Sequence, residues 1–301
     1  LDAALVARAR AAKVTTFEGA RFESLIEDRG KGVRVRLSGL PETRARFVVA
    51  ADGAWSEVRR AVVGLDPRER RPDWMAWRAY LVGADREKTS PMWVWFERPL
   101  LPGYGWSFPL ADGAINIGVV TAGISGKRFA DAWRTTIDGP FVRSLVGADA
   151  SLEAPARAWP IPARLDVSAL SALDDRVLFV GDAAGVADPF TGEGIGQALE
   201  TGIVAARAIT DKFARGPAQV AAAYRQAIAA SLAKDHAIAR VCGRLFAHAS
   251  SASAVLRVVD SAPFVRRNVA RWLFEDYPRA VVTSPGAWQD AARLRPGAFA
   301  K

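Results

Sequence analysis

The run Arg176-Val177-Leu178-Phe179-Val180 is apolar after its first residue and stops abruptly at Gly181-Asp182-Ala183-Ala184-Gly185. Such a run, bounded by glycine, predicts a strand buried on both faces, as in parallel sheets covered by helices. Beyond it lie Asp188-Pro189-Phe190-Thr191-Gly192-Glu193-Gly194-Ile195-Gly196, and a helical pattern then runs from 194 to 212. Glycines let backbone approach a ligand closely, and a helix N-terminus offers unpaired N–H groups with partial positive charge. A strand-end carboxylate such as Asp182 repels phosphate but accepts hydrogen bonds from sugar-type hydroxyls. The segment therefore predicts a ligand with hydroxyls near Asp182 and an electron-rich ring edge at the helix start.

A second run of the same kind, Phe47-Val48-Val49-Ala50-Ala51, stops at Asp52-Gly53 and precedes a helical pattern over 55–63. Ahead of it the sequence predicts a helix over 2–12, a short strand over 14–17, and an antiparallel meander of 21–28, 32–37 and 44–50. Between the two runs lie aromatic strand patterns at 74–82, 92–97, 104–110 and 114–121, with a hairpin signal at Ala111-Asp112-Gly113. Helical patterns at 127–137 and 140–147 and an extended 158–162 follow, and helices are expected over 217–249, 252–260 and 263–276. The layout is α/β with an α+β insertion: two pieces of an α/β unit separated by a β-rich segment, followed by helices.

Composition narrows the chemistry. The single Cys242 excludes a disulfide framework, and with only His236 and His248 beside it no metal site is expected. No apolar run approaches the length of a membrane-spanning helix. The net charge is +9, and residues 231–301 hold 11 basic against 5 acidic residues, so the excess lies toward the C-terminus. Eight of the ten tryptophans fall between Trp55 and Trp159. The chain opens without Met on a helical pattern and carries no targeting segment, so either processing removed something or it is expected to be the later part of a longer protein.

Val49-Ala50-Ala51-Asp52-Gly53-Ala54-Trp55-Ser56-Glu57-Val58-Arg59-Arg60 resembles the "DG" motif of flavoproteins with the p-hydroxybenzoate hydroxylase fold. Val180-Gly181-Asp182-Ala183-Ala184 resembles their "GD" motif, whose Asp contacts the ribityl chain of FAD. Tyr104-Gly105-Trp106-Ser107-Phe108-Pro109, with Asn116-Ile117-Gly118-Val119, resembles the YxWxFP stretch of geranylgeranyl reductases. Pro189-Phe190-Thr191-Gly192-Glu193-Gly194-Ile195 resembles their PxTGEGI segment, where aromatic hydroxylases of the same fold more often carry a GQG-type sequence. The resemblance covers roughly residues 1–235.

It implies an incomplete FAD-binding Rossmann-like domain (1–63 and 166–235) around an antiparallel-sheet substrate domain (64–165), with a basic helical region at 236–301. It implies FAD contacts at Asp52, Gly53, Gly181, Asp182, Ala183, Pro189, Thr191, Gly192, Glu193, Gly194 and Ile195, with Glu193 a structural or flavin-positioning carboxylate. The implied activity is reduction of isoprenoid C=C bonds, geranylgeranyl or menaquinone-type, by hydride from reduced flavin. Electrons would come from NAD(P)H or a ferredoxin. Strand alternation puts like residues of 92–96 and 104–108 on one face. Trp93, Trp95, Tyr104, Trp106 and Phe108 are therefore expected as an apolar wall for the prenyl chain. Tyr104, Tyr80, Cys242 or water could supply the proton, and no residue is assigned as catalytic.

The family's strand–GxGxxG–helix unit, which holds the ADP part of FAD, does not occur ahead of Asp52, and Gly192-x-Gly194-x-Gly196 has the wrong spacing to replace it. About the first hundred residues of such a protein are thus expected to lie outside this sequence. In the tail, Arg257, Arg266, Arg267, Arg271 and Arg279 accompany Val258, Phe264, Val265, Val269, Trp272 and Leu273 at helical spacing. This is compatible with a solvated basic face or with peripheral contact at the cytoplasmic face of an anionic membrane. No nucleic-acid recognition motif accompanies the charge. The rival readings are an FAD monooxygenase or halogenase of the same fold, and a non-catalytic basic module.

Overall fold

The computed structural model describes residues 1–28, 32–64, 73–123, 126–263 and 266. Helix α1 (Asp2–Ala11) leads into an antiparallel meander of β1 (Phe22–Asp28), β2 (Gly32–Leu37) and β3 (Thr43–Ala45). Strand β4 (Val48–Ala50) and helix α2 (Glu57–Val63) follow. The middle of the chain is a sheet of β5 (Trp74–Val82), β6 (Trp93–Trp95), β7 (Tyr104–Pro109), β8 (Ile115–Ala122), β9 (Ser151–Leu152) and β10 (Arg157–Ile161). Helices α3 (Arg86–Thr89), α4 (Lys127–Ile137) and α5 (Pro140–Val146) are interleaved with it. The chain then passes through β11 (Ser171–Ala172) and β12 (Val177–Phe179) into α6 (Ile195–Lys212), α7 (Pro217–Ile228), α8 (Lys234–Phe246) and α9 (Ala249–Asp260).

The two apolar runs find each other. β12 pairs in parallel with β4, Val48 opposite Val177, Val49 opposite Leu178 and Ala50 opposite Phe179. Parallel strands need a crossover between them, and here the crossover contains the whole antiparallel sheet. Both strands therefore end at the same edge, where open α/β sheets gather their ligands. Val177, Leu178 and Phe179 are fully buried. Helix α7 pins β12 from behind: the buried Tyr224 hydroxyl donates to the Phe179 carbonyl at 2.7 Å. Arg225 Nη1 donates to Ser171 Oγ at 2.6 Å and Asp175 Oδ1 at 2.9 Å, holding the turn between β11 and β12.

The antiparallel sheet runs in the order β10-β5-β8-β7-β6. One face carries Ala79, Leu81, Ile115, Ile117 and Val119 and is covered by Phe129, Trp133, Val142 and Leu145 of α4 and α5. Pro160 sits in the edge strand β10, where its missing N–H costs no ladder bond. The other face turns toward the parallel strands and packs Trp74, Ala76, Tyr104, Trp106, Val120 and Ile161 with Ala187.

The structure departs from the sequence expectations at three places. Residues 14–17 form no strand, because Val14 and Phe17 are exposed and have no sheet to join. The single strand expected over 44–50 is two: β3 pairs antiparallel with β2, and β4 pairs in parallel with β12. The helix expected over 217–249 is interrupted by a π turn at Ala229–Ala233. The helix expected over 263–276 lies outside the described residues apart from positions 263 and 266.

Two outcomes follow from the way the helices are held. Tyr224→Phe removes one buried hydrogen bond and should lower unfolding free energy by about 1–2 kcal/mol in a urea titration. His236 is 1% exposed and, among the described residues, neither ring nitrogen has a hydrogen-bond partner. Burial, and then the charge of Arg240, pushes its pKa down from 6.5 to about 4; the nearby Val186 backbone opposes this only partly. The unfolded chain takes up a proton in that window and the folded chain does not. Stability should thus fall as pH drops from 6.5 toward 4, by up to about 3 kcal/mol from this group. Denaturant titrations of the protein and of His236→Leu at pH 7 and 4.5 should show a smaller loss in the variant.

Candidate active site

After β12 the backbone turns sharply through Gly181–Ala184, a 3-10 turn closed by Gly185 in the left-handed region at φ 70°. Gly181 itself has φ 56°, and a Cβ there would lie 3.2 Å from the Ala198 Cβ, so the turn needs glycine for conformation and for space. Its N–H donates to the buried Thr201 hydroxyl at 3.0 Å, and that hydroxyl donates to the Gln197 carbonyl at 2.8 Å. The turn is thereby bolted to α6.

Asp182 projects from this turn beside the start of α6, where a Cβ on Gly194 would lie 3.4 Å from Oδ1. No donor among the described residues reaches its carboxylate, and partial burial holds its pKa above the ordinary carboxylate value. Gly194 caps α6 without a side chain, leaving the first N–H groups of an 18-residue helix open. Gln197 Oε1, in the first turn, is buried without a partner among the described residues.

The loop from 188 to 194 is organised by Asp188, a residue to which the sequence alone assigns no role. The residue is 1% exposed, and its Oδ1 accepts from the Phe190 N–H at 2.9 Å, the Thr191 N–H at 2.6 Å and the Thr191 hydroxyl at 3.0 Å. The Asp188 N–H donates to the Glu193 carbonyl at 2.7 Å, and Gly192 N–H donates to the Asp188 carbonyl at 2.9 Å. An Asp directly before Pro and Phe-Thr-Gly is a turn signal, and this Asx geometry is its physical content. Glu193 itself is exposed. Pro189 lies under α8, where a Cβ on Gly243 would be 3.5 Å from its carbonyl oxygen.

Asp52 and Gly53 emerge from β4 at the same sheet edge. The Asp52 carboxylate accepts from the Ser56 hydroxyl at 2.6 Å and the Val58 N–H at 3.0 Å, while Ser56 Oγ accepts from the Arg59 N–H at 2.9 Å. Asp52 and Ser56 together cap α2. The link between the two motifs is Arg59. Its guanidinium donates to the Ala183 carbonyl at 2.8 Å and lies over the Phe179 ring at 4.7 Å. Arg59 stands within the DG stretch, where an arginine in a short helix carries no sequence signal for such a role.

The antiparallel sheet meets this loop through two contacts. Tyr104 donates its hydroxyl to the Thr191 carbonyl at 2.5 Å, and the Gly192 backbone approaches Ile161 and Val120 closely enough that a Cβ would touch both. Burial, and then the neighbouring Glu193 charge, pushes the Tyr104 phenol well above its ordinary pKa. The expectation of one aromatic wall needs correcting. Tyr104, Trp106 and Phe108 share the loop-facing side, but Trp93 and Trp95 pair with Ser107 and Gly105 and point the other way. Both pack against Phe141 of α5, with ring centroids 6.0 and 5.2 Å apart. Trp74 of β5 and Trp159 of β10 join the loop-facing side, Trp159 edge-on to Trp55 of the DG stretch at 6.5 Å.

A half-buried carboxylate without a donor, glycines that clear its surroundings and an uncapped helix start suit the ribityl hydroxyls and the ring edge of a flavin. The described residues therefore fit the flavin half of FAD.

Residues 1–230 match the family model described as FAD binding domain, and the chain belongs to that family. It is 33% identical over 214 residues to digeranylgeranylglycerophospholipid reductase 1 of Methanopyrus kandleri, covering 68% of this chain and 54% of that protein. It is also 33% identical over 178 residues to menaquinone reductase of Mycolicibacterium smegmatis, covering 54% of this chain and 40% of that protein. The chain thus spans about half the length of the curated relatives it matches. In structure it is similar to a geranylgeranyl bacteriochlorophyll reductase-like protein from Thermoplasma acidophilum, with TM-score 0.70 and 21% identity over 95% of this chain and 74% of that one.

The two aspartates of this loop should behave differently. Hydrogen bonds to a charged group contribute about 1.5–3 kcal/mol, so Asp182→Asn should weaken FAD retention by roughly tenfold or more in a flavin-release titration. The same change removes a carboxylate whose burial penalty acts above its raised pKa and fades as pH falls through it, so stability at pH 7 should hold or rise. Asp188→Ala strands three donors and should lower both stability, by about 2–4 kcal/mol, and flavin retention.

Proposed function

We propose that this chain belongs to a flavoprotein that reduces carbon–carbon double bonds of an isoprenoid chain. The observation that carries the reading is the aromatic face of Tyr104, Trp106 and Phe108, which begins at the hydrogen bond to Thr191 of the flavin loop. A polyisoprenoid offers few polar handles, so a wall of this kind is what its binding requires. The names of the relatives, which include reductases of a digeranylgeranyl lipid and of menaquinone, support the same substrate class.

Reduced FAD, when bound, supplies a hydride. The residues of this chain do the rest. Asp182 accepts from ribityl-type hydroxyls, and the open N–H groups at Gly194 and Ile195 favour negative charge on a ring edge. The contacts proposed for Gly53, Gly181, Ala183, Thr191 and Gly192 are backbone contacts. Glu193 acts on the loop rather than as an acid, and Asp52 acts through α2, which it caps. Trp106 and Tyr104 exclude water from one side of the substrate. Tyr104 remains protonated at neutral pH and donates to Thr191, whereas Tyr80 lies further along the same face beneath Arg78. Cys242 packs behind the loop in the cluster of Phe190 and Phe246, where burial raises its pKa.

The reading includes a prenyl-lipid substrate, NAD(P)H or a ferredoxin as electron source, and a peripheral position at the cytoplasmic face of a membrane. Among the described residues no helix is long and apolar enough to cross a bilayer. The outward side of α8 carries Arg240 and Arg244 beside the exposed Val241 and Leu245, which suits contact with an anionic surface. Oxygen dependence separates the proposal from a monooxygenase or halogenase. The full-length flavoprotein, reduced with dithionite under anaerobic conditions, should saturate a geranylgeranyl chain detectable by mass spectrometry. A product formed only when oxygen is admitted, and carrying it, would overturn the reading.

A further inference from the structure

Gly194, Gln197 and Thr201 recur at helical spacing on the side of α6 that meets the Gly181–Ala184 turn. Thr201 holds the Gly181 N–H, and the Gly194 backbone borders Asp182, so this stripe touches the turn at both ends. Gln197 stands between them, its carbonyl accepting from Thr201 Oγ1 at 2.8 Å. The opposite side of the helix, with Ile195, Leu199 and Ile203, is exposed. Long side chains on a helix lean toward its N-terminus. The Gln197 amide is therefore directed at the same open end as the first N–H groups of α6.

That amide departs from its ordinary use. Gln197 is the third helical residue after the Gly194 cap, a position from which Gln or Glu commonly reaches back to the N–H of the cap. Here Oε1 makes no such bond: it is shielded from solvent and has no partner among the described residues. The backbone donors of the adjoining turn and loop are committed elsewhere, Gly181 to Thr201, Phe190 and Thr191 to Asp188, and Glu193 to the Thr191 hydroxyl. The field of the helix end favours a carbonyl oxygen in this place but brings it no proton. A buried acceptor left unpaired costs stability that an apolar side chain would not.

We propose that Gln197 Oε1 is the acceptor for the N3–H group of the flavin ring, the single donor on its pyrimidine edge. The inference rests on the flavin site and is independent of what the substrate is. On that edge the N3–H lies between two carbonyl oxygens, with N1 beyond one of them. The N–H groups of a helix start satisfy a carbonyl and N1 but offer nothing to N3–H. A ring held by donors alone would bury its own N–H unpaired. Gln197 supplies the missing acceptor from the same helical turn that supplies the donors, so one turn of α6 matches both polarities of the edge. With Asp182 accepting from the ribityl hydroxyls, that match fixes the rotation of the ring in its plane and hence its placement against Tyr104 and Trp106.

Reconstitution of the full-length flavoprotein with FAD and with FAD methylated at N3 tests the assignment. The unsubstituted protein should bind FAD at least tenfold more tightly than the methylated cofactor, about 1.4 kcal/mol. Gln197→Leu keeps the bulk and loses the acceptor, so FAD should bind roughly tenfold more weakly and the two cofactors should bind alike. Gln197→Glu retains a carbonyl acceptor in either protonation state and should retain the preference. In the cofactor-free protein the Leu variant should melt no lower than the parent, since Oε1 has no bond to lose. Equal binding of both cofactors by the parent, or a Leu variant that keeps the preference, would overturn the assignment and leave the flavin site standing. A Glu variant that loses the preference as Leu does would count the same way. So would a lower melting point of the cofactor-free Leu variant, because Oε1 would then serve a partner within the protein. Uptake of neither cofactor by the parent would sink the flavin site together with the assignment.

Discussion

One buried carboxylate sets the geometry on which the site depends. Asp188 collects two backbone N–H groups and a hydroxyl from the residues just after it, and so converts an irregular stretch into a fixed loop. Burying a carboxylate is costly unless donors surround it, so the arrangement has little freedom to relax. Two consequences follow from its rigidity. The start of α6 is delivered beside Asp182, and the Thr191 carbonyl is presented to Tyr104. The first assembles the flavin side of the site. The second fixes the antiparallel sheet against it, so one turn of chain determines both halves of the cleft.

The sheet in turn assigns its two faces by packing. On the covered face, Trp77 stacks on Trp133 with centroids 5.8 Å apart, and Trp93 and Trp95 close over Phe141. On the open face, Trp106 lies over Gly118. Glycines at 105 and 118 make both arrangements possible, since each clears the space that a tryptophan from the neighbouring strand fills. The tryptophan excess is therefore divided between two duties. Part of it is a core under α4 and α5, and part lines the cleft.

Long, strongly patterned segments were legible in the sequence. β5, α4 and α6 lie within a residue of their expected limits, because their apolar periodicity coincides with their burial. The two Gly-Asp turns were legible because an apolar run that stops at glycine has few other meanings. What escaped depended on partners far along the chain. The stretch 44–50 has uniform β character, and only the presence of β2 on one side and β12 on the other divides it. Alternation placed Trp93 with Trp95 and Tyr104 with Trp106 correctly within each strand. The register between β6 and β7, which sets the pairs on opposite faces, is written in neither strand alone. Arg59 and Asp188 were passed over for the same reason: their bonds reach a carbonyl 124 residues away in one case and define a loop in the other.

Among the described residues, the polar groups left without partners differ in their surroundings. Trp77 Nε1, Trp95 Nε1 and Ser107 Oγ are neutral and lie in the covered core, where the loss of a weak donor is set against well-packed rings. At the flavin loop the groups without partners among the described residues are Asp182 and Gln197 Oε1, both at the start of α6. A fold selected for stability alone would pair or remove them, since an unneutralised carboxylate or a lone amide oxygen in a half-buried position opposes folding. They stand where the Gly181 turn and the glycine before α6 leave room for a polar ligand, so the cost falls on the groups that a bound flavin would satisfy.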